Sequence, residues 1–226
     1  MAVSEMVQVA APGNIELPGD LEVPPSPRGV VLFAHGSGSS RHSPRNRAVA
    51  ETLRRQGLAT LLMDLLTEQE DQVDTVTAQH RFDIGLLGER VVAALDWLAK
   101  HPATSDLSAH LFGASTGAAA ALVAAAERPS RAASVVSRGG RPDLAGDALG
   151  RVRAPVLLLV GGRDTRVLEM NRDAAAQLTA PHEVRVIEGA THLFPEPGAL
   201  EQVAEEAREW FLSAHERGGG THGGGG

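Results

Sequence analysis

Residues 109–127 read AHLFGASTGAAAALVAAAE. Four residues of short, apolar, strand-like sequence run into Gly113-Ala114-Ser115-Thr116-Gly117, and a wholly small and apolar helical stretch follows with no linker. A strand that turns directly into a helix leaves room only for small residues at the turn, which accounts for the two glycines. A helix apolar on every side must be buried all round. Strand, sharp turn and buried helix together predict a parallel sheet covered on both faces, with Ser115 held in strained backbone at the carboxyl end of a strand.

The rest of the chain repeats that rhythm. Apolar runs at Gly29–Ala34, Ala59–Met63, Ala109–Phe112, Ala133–Ser137, Pro155–Val160 and Glu183–Ile187 alternate with helical patterns. Ser43-Pro44 opens the first helix as N-cap and first helical residue, and Gly57 closes it. Ile84, Leu87, Val91, Leu95 and Leu98 recur at three and four, giving a helix over 81–100 before Pro102. Further helices are expected over 116–127, 168–179 and 198–214. Val3–Val9 and Ile15–Val23 around Pro12-Gly13-Asn14 read as an N-terminal hairpin. Thr67–His80 is polar and acidic and reads as a loop. Only 17 residues, Arg138–Ala154, separate two successive strands, too few for a cap domain. The expectation is an α/β fold with a mostly parallel central sheet, an N-terminal hairpin, helices on both faces and no cap. It forms a single domain over 1–217, and 218–226 is a Gly-rich disordered tail.

Composition removes several chemistries. The 226 residues include no Cys, which excludes disulfides, thiolate metal sites and a thiol nucleophile. The net charge of −7 and the 3% aromatic content argue against a nucleic-acid partner. The histidines are scattered without metal-ligand spacing, so no metal is expected. No apolar run reaches the length of a membrane span, and no export signal is visible, so the expected location is cytoplasmic.

Ligands of open α/β sheets bind beyond the carboxyl ends of the strands. Three chemically complementary residues stand at such ends, in the order Ser115, Asp164, His192. A serine hydroxyl needs a base, and the base needs a partner that fixes its tautomer. Each residue also has a plainer role open to it: helix N-cap for Ser115 and Asp164, polar loop residue for His192. The oxyanion of an acyl-transfer intermediate would be held by the backbone N–H of Thr116 and by that of Ser37, in the Gly-rich loop His35–Ser40. His35 itself reads as structural. Gly36–Arg41 imitates a dinucleotide-binding turn, but Arg41 replaces the small residue that close helix packing requires.

HGSGSSRHSPRN (35–46), LLMDLLTEQE (61–70), RFDIGLL (81–87), GASTG, SRGGRPDLAG (137–146), GGRDT (161–165) and ATHLF (190–194) carry a resemblance. Over about residues 28–212 the chain resembles small α/β-hydrolases of the dienelactone-hydrolase-like group. It is especially similar to the bacterial hydrolase domains sometimes found fused to phosphoribosyltransferases. The resemblance implies the same catalytic residues, Ser115, Asp164 and His192. Dienelactone hydrolases use a Cys nucleophile, whereas this chain has Ser115, which favours a serine esterase. The expected reaction is cleavage of a carboxylic ester, or of a lactone or thioester, through an acyl-enzyme on Ser115, with no cofactor. The alternatives are a non-catalytic binding module of the same fold and a cofactor-free perhydrolase using the same three residues. Arg41, Arg45, Arg138, Arg141, Arg163 and Arg166 follow the strand ends. Arg41 and Arg138 are the candidates for binding an anionic ester substrate.

Overall fold

The central strands form because long apolar runs can be shielded from water only between two layers of helices. In the computed structural model, which describes residues 2–218, every residue of β3 (Gly29–Ala34), β4 (Leu58–Met63), β5 (Ala109–Ala114) and β7 (Val156–Gly161) is buried. They join β1 (Val3–Ala11), β2 (Ile15–Val23), β6 (Ala132–Arg138) and β8 (His182–Ile187) in an eight-stranded sheet of order β1-β2-β4-β3-β5-β6-β7-β8. The strands from β3 onward are parallel to one another. The hairpin β1–β2 turns through Gly13 and Asn14, both at positive φ, and adds an antiparallel edge on β4.

Two cores follow from the two faces. On one, α3 (Ile84–Leu98) and α4 (Thr116–Glu127) pack Leu87, Val91, Leu95 and Leu122 against Leu32, Leu111, Val135 and Leu158. On the other, α1 (Pro44–Arg55) and α6 (Ala199–Gly218) pack Val49, Leu53, Val203 and Phe211 against Phe33, Phe112, Val136 and Leu159. Burying a side chain of this size contributes about 1.5–3 kcal/mol, so the alternation of faces along each strand fixes the register. Ser43 caps α1, its hydroxyl accepting from the Asn46 N–H at 3.3 Å, with Pro44 next.

Two expectations change. Residues 67–80 are not a loop: Glu68–Thr77 is a helix, α2. A capping box starts it. Thr67 Oγ1 accepts from the Glu70 N–H at 3.2 Å, and the Thr67 N–H donates to Glu70 Oε2 at 2.8 Å. With Val73 and Val76 as its only large apolar residues, α2 has no apolar stripe, which is why periodicity does not reveal it. The helix expected over 168–179 is α5, Thr165–Ala175, which begins directly after Asp164. Between β6 and β7 the chain forms only a 3₁₀ segment, Pro142–Arg151, so no cap domain stands over the sheet edge. No helix among the described residues is long and apolar enough to cross a membrane. The Gly-rich tail beyond Gly218 lies outside the described residues.

Candidate active site

Ser115 sits between β5 and α4 with φ 51° and ψ −122°, a conformation that L-residues rarely adopt. Close packing imposes the turn. A Cβ on Gly113 would lie 2.4 Å from the Ala118 Cα, and one on Gly117 would lie 2.2 Å from the Ala34 carbonyl oxygen. No side chain larger than hydrogen fits at either place, so strand and helix meet with Ser115 at the apex. Ser115 occupies the N-cap position of α4, yet its hydroxyl makes no capping bond.

Asp164 stands in the same relation to α5 and also leaves its helix uncapped. Its Oδ2 accepts instead from His192 Nδ1 at 2.7 Å. That bond places the Nδ1 proton on the side of Asp164 and leaves Nε2 as the open ring nitrogen. The His192 side chain is 40% exposed, and the loop that carries it is braced by Glu196, whose Oε1 accepts from the Thr191 N–H and hydroxyl at 3.0 and 2.6 Å.

The segment Arg138–Arg141 joins Ser115 to His192. The Ser115 N–H donates to the Arg138 carbonyl at 3.4 Å, and the Arg141 N–H donates to the Ser115 carbonyl at 3.0 Å. Gly139 lies against the histidine loop: a Cβ there would be 3.0 Å from the His192 carbonyl oxygen and 3.2 Å from the Phe194 ring. Buried Asn171 of α5 ties the segment down by donating to the Gly140 carbonyl at 3.0 Å. Among the described residues neither the Ser115 hydroxyl nor His192 Nε2 has a hydrogen-bond partner, so both ends of the constellation are open toward the sheet edge.

On the opposite flank, Ser37 Oγ and Thr116 Oγ1 are 3.0 Å apart, so the two residues expected to supply oxyanion donors are neighbours. Thr116 is the first residue of α4, so its N–H has no intrahelical acceptor. A Cβ on Gly36 would meet the Ser115 Cβ at 2.9 Å, so this loop lies directly on the serine. Its support comes from residues that sequence reading missed. The Ser37 hydroxyl donates to the Arg81 carbonyl at 3.3 Å, and Arg81 is clamped by buried Asp74 through its N–H at 2.9 Å and its Nε at 2.8 Å. Burial works against the Asp74 charge, but the N–H groups of Arg81 and His80 and the Arg81 guanidinium outweigh it and hold the carboxyl below its usual range. The sequence signal for this support is the capping box of α2; Asn171 has none. His35 is structural: its Nε2 accepts from the Leu65 N–H at 3.0 Å and its Nδ1 donates to the Gly36 carbonyl at 2.9 Å.

The arginines divide. Arg41 is paired with Asp64, which also accepts from the Arg41 N–H at 2.7 Å, and lies 3.6 Å from Asp20. As a substrate-binding residue it is therefore pre-empted by two carboxylates of its own chain. Arg138 is buried and donates to Asn46 Oδ1 at 3.2 Å.

The model of the dienelactone hydrolase family matches residues 17–215. The chain belongs to the dienelactone hydrolase family. A solved dienelactone hydrolase from Anabaena variabilis is 56% identical and superimposes with a TM-score of 0.91, covering 94% of this chain and 98% of that one. Est1E from Butyrivibrio proteoclasticus shares the fold at 19% identity and a TM-score of 0.76, covering 92% of this chain and 98% of that one. Two curated Mycobacterium tuberculosis proteins named as phosphoribosyl transferases are 56% identical over 208 residues. The match takes in 92% of this chain but 46% of theirs, so this family member spans about half their length. That agrees with the similarity to hydrolase domains fused to phosphoribosyltransferases.

Proposed function

We propose that this member of the dienelactone hydrolase family is a serine hydrolase that cleaves a carboxylic ester through an acyl-enzyme on Ser115. The observation that carries the reading is the Asp164–His192 hydrogen bond at 2.7 Å, made by an aspartate that leaves its own helix uncapped. Ser115 Oγ attacks the ester carbonyl while His192 Nε2 takes its proton, the Ser–His hydrogen bond forming as substrate arrives. Asp164 holds the imidazole tautomer and stabilises the imidazolium. The N–H groups of Ser37 and Thr116 receive the developing oxyanion. The proton passes to the leaving alcohol, and water, deprotonated by the same histidine, releases the acid. Lactones and thioesters present the same electrophile to the same groups.

No cap domain stands over the edge, and α2 stands beside the oxyanion loop, where its Asp74 holds Arg81 and the Arg81 carbonyl accepts from the Ser37 hydroxyl. An open site of this kind suits soluble short-chain esters, with no rate jump above the substrate's micelle concentration. The test is a panel of chromogenic esters varying in acyl length, followed before steady state. The reading expects a burst of up to one equivalent of alcohol and its disappearance in Ser115→Ala. No turnover of any ester, or a burst that survives the substitution, would refute it.

A further inference from the structure

The three residues of the site are held in place by different means. Ser115 is wedged between β5 and α4 by contacts that admit only glycine at Gly113 and Gly117. Asp164 follows β7 on a turn pressed against the backbone of the histidine loop. A Cβ on Gly161 would lie 2.5 Å from the Ala190 carbonyl oxygen and 2.8 Å from that of Thr191, and the Arg163 N–H donates to the Ala190 carbonyl at 2.9 Å. His192 lies just beyond that contact, in a turn closed by the Phe194 N–H donating to the Thr191 carbonyl at 3.1 Å. The turn is strained. Phe194, a buried aromatic residue ahead of a proline, is held at φ 55°. Such a residue stays in place only where its surroundings over-determine it, and its return to negative φ would carry His192 out of line with Asp164.

Glu196 opposes that relaxation. Among the described residues, Asp164 and Glu196 are the only ones outside the turn whose side chains hydrogen-bond residues 190–194. Glu196 Oε1 takes both donors of Thr191, the N–H at 3.0 Å and the hydroxyl at 2.6 Å. The first bond fixes the backbone one residue before His192, the second fixes the Thr191 rotamer, and both are charge-assisted. The brace is stiff for reasons written in the sequence. Pro195 and Pro197 enclose Glu196 and restrict its backbone. The Glu196 carbonyl accepts from the Ala199 N–H at 3.0 Å, at the start of α6, whose Val203 and Phe211 lie in the core. The Thr191 hydroxyl, opposed by burial but joined by backbone N–H groups and the Arg163 charge, holds the Glu196 carboxyl below its usual range.

We propose that Glu196 is a positioning residue for the general base: through Thr191 it locks the strained turn in the conformation that aims His192 Nδ1 at Asp164. This role rests on the hydrolase reading, so one of its readouts needs no turnover. Three variants separate the terms. Glu196→Gln keeps an oxygen for both Thr191 donors, Glu196→Ala removes it, and Thr191→Val removes the hydroxyl alone. With a soluble chromogenic ester, Glu196→Ala should lower kcat by about 10- to 100-fold and leave KM within about threefold. Glu196→Gln should stay within about threefold of wild type in both, with Thr191→Val between the two. The rate at which a fluorophosphonate labels Ser115 should fall in step with kcat. Loss of charge alone does not produce this pattern, because both Glu196 variants lack the charge and only one lacks the acceptor.

The readout without turnover is proton NMR. The Nδ1 proton in the 2.7 Å His192–Asp164 bond gives a far-downfield signal, assigned by its loss in Asp164→Asn. It should persist in Glu196→Gln and vanish in Glu196→Ala. If Glu196→Ala does not fold, Thr191→Val carries the test, with a weakened signal, a lowered kcat and rescue of both by Thr191→Ser. A Glu196→Ala protein that keeps kcat and the signal, or a Glu196→Gln protein as impaired as Glu196→Ala, overturns the brace and leaves the hydrolase reading standing. Wild-type protein that neither turns over esters nor labels at Ser115 overturns the hydrolase reading, and the downfield signal then decides on the brace alone.

Discussion

Residues 35–83 and residues 115–192 each place a serine, an aspartate, a histidine and an arginine at or near the same edge of the sheet, and use them in opposite ways. In the first region every one is engaged by the scaffold. Ser43 caps α1, Asp83 caps α3 by accepting from the Leu86 N–H at 3.0 Å, His35 bonds backbone through both ring nitrogens, and Arg41 is held by Asp64. In the second region the same residue types are withheld. Ser115 and Asp164 sit at N-cap positions and cap nothing, His192 keeps one nitrogen open, and Arg138 has no carboxylate. An N-cap bond contributes about 1 kcal/mol, so leaving two helices uncapped and one serine in strained backbone lowers stability. A fold tolerates such positions where their side chains serve chemistry.

The sharpest way to break this comparison is to treat the two serines alike. Ser115→Ala should lower kcat by roughly 10⁴-fold or more while leaving the melting temperature nearly unchanged, because the hydroxyl supports no cap. Ser43→Ala should lower stability by about 1 kcal/mol, read from urea unfolding. If Ser115→Ala destabilises as Ser43→Ala does and spares turnover, the serine is an ordinary cap.

The aspartates come next. Asp164→Asn should lower kcat by about 10³- to 10⁴-fold through loss of the correct His192 tautomer, with α5 intact by circular dichroism. Asp83→Ala should keep kcat and lose about 1 kcal/mol of stability.

These contrasts also show what was legible in the chain. The buried strands declared themselves because a strand covered on both faces must be apolar throughout, and GASTG because close packing demands its glycines. The absence of a cap follows from the 17 residues Arg138–Ala154, whereas the order of the strands is not legible, because crossover handedness fixes the hand of each connection and not which strands become neighbours. Helix α2 was hidden because apolar periodicity reports burial, and α2 buries little; its capping box was the signal to read. The start of α5 lies three residues earlier than expected: Asp164 has the residue type of an N-cap, but that signal competes with its reading as the partner of His192. The pairing of Arg41 was hidden for a different reason: Asp64 is 23 residues away and Asp20 lies in the hairpin, so only the folded sheet brings the carboxylates to it.

A smaller effect tests strain. Ser115→Gly should raise stability by about 1 kcal/mol, since glycine takes φ 51° without a steric cost, while abolishing turnover. A loss of stability would mean that the turn is not strained in the sense described here.

The smallest expected effect concerns His35. Burial lowers its pKa below 6.5, against the weaker opposing influence of its bond to Gly36 and of Asp64 and Asp71, so the folded protein keeps it neutral. The unfolded chain takes up the proton first as pH drops through 6.5, so stability is full above that value and falls below it, by at most about 1.4 kcal/mol per pH unit. Urea unfolding at pH 7.5 and 5.5 should show a larger loss for wild type than for His35→Gln. Equal losses would mean that His35 is not held neutral.

The most direct test of the central claim is covalent. Wild-type protein treated with a fluorophosphonate should gain the mass of one phosphonyl group by intact mass spectrometry. Peptide mapping should place it on Ser115, with Ser43 and Ser37 unmodified and the reaction slowed by roughly 10³-fold or more in Asp164→Asn. A label on another serine, or labelling of Ser115 at the same rate without Asp164, would contradict the account.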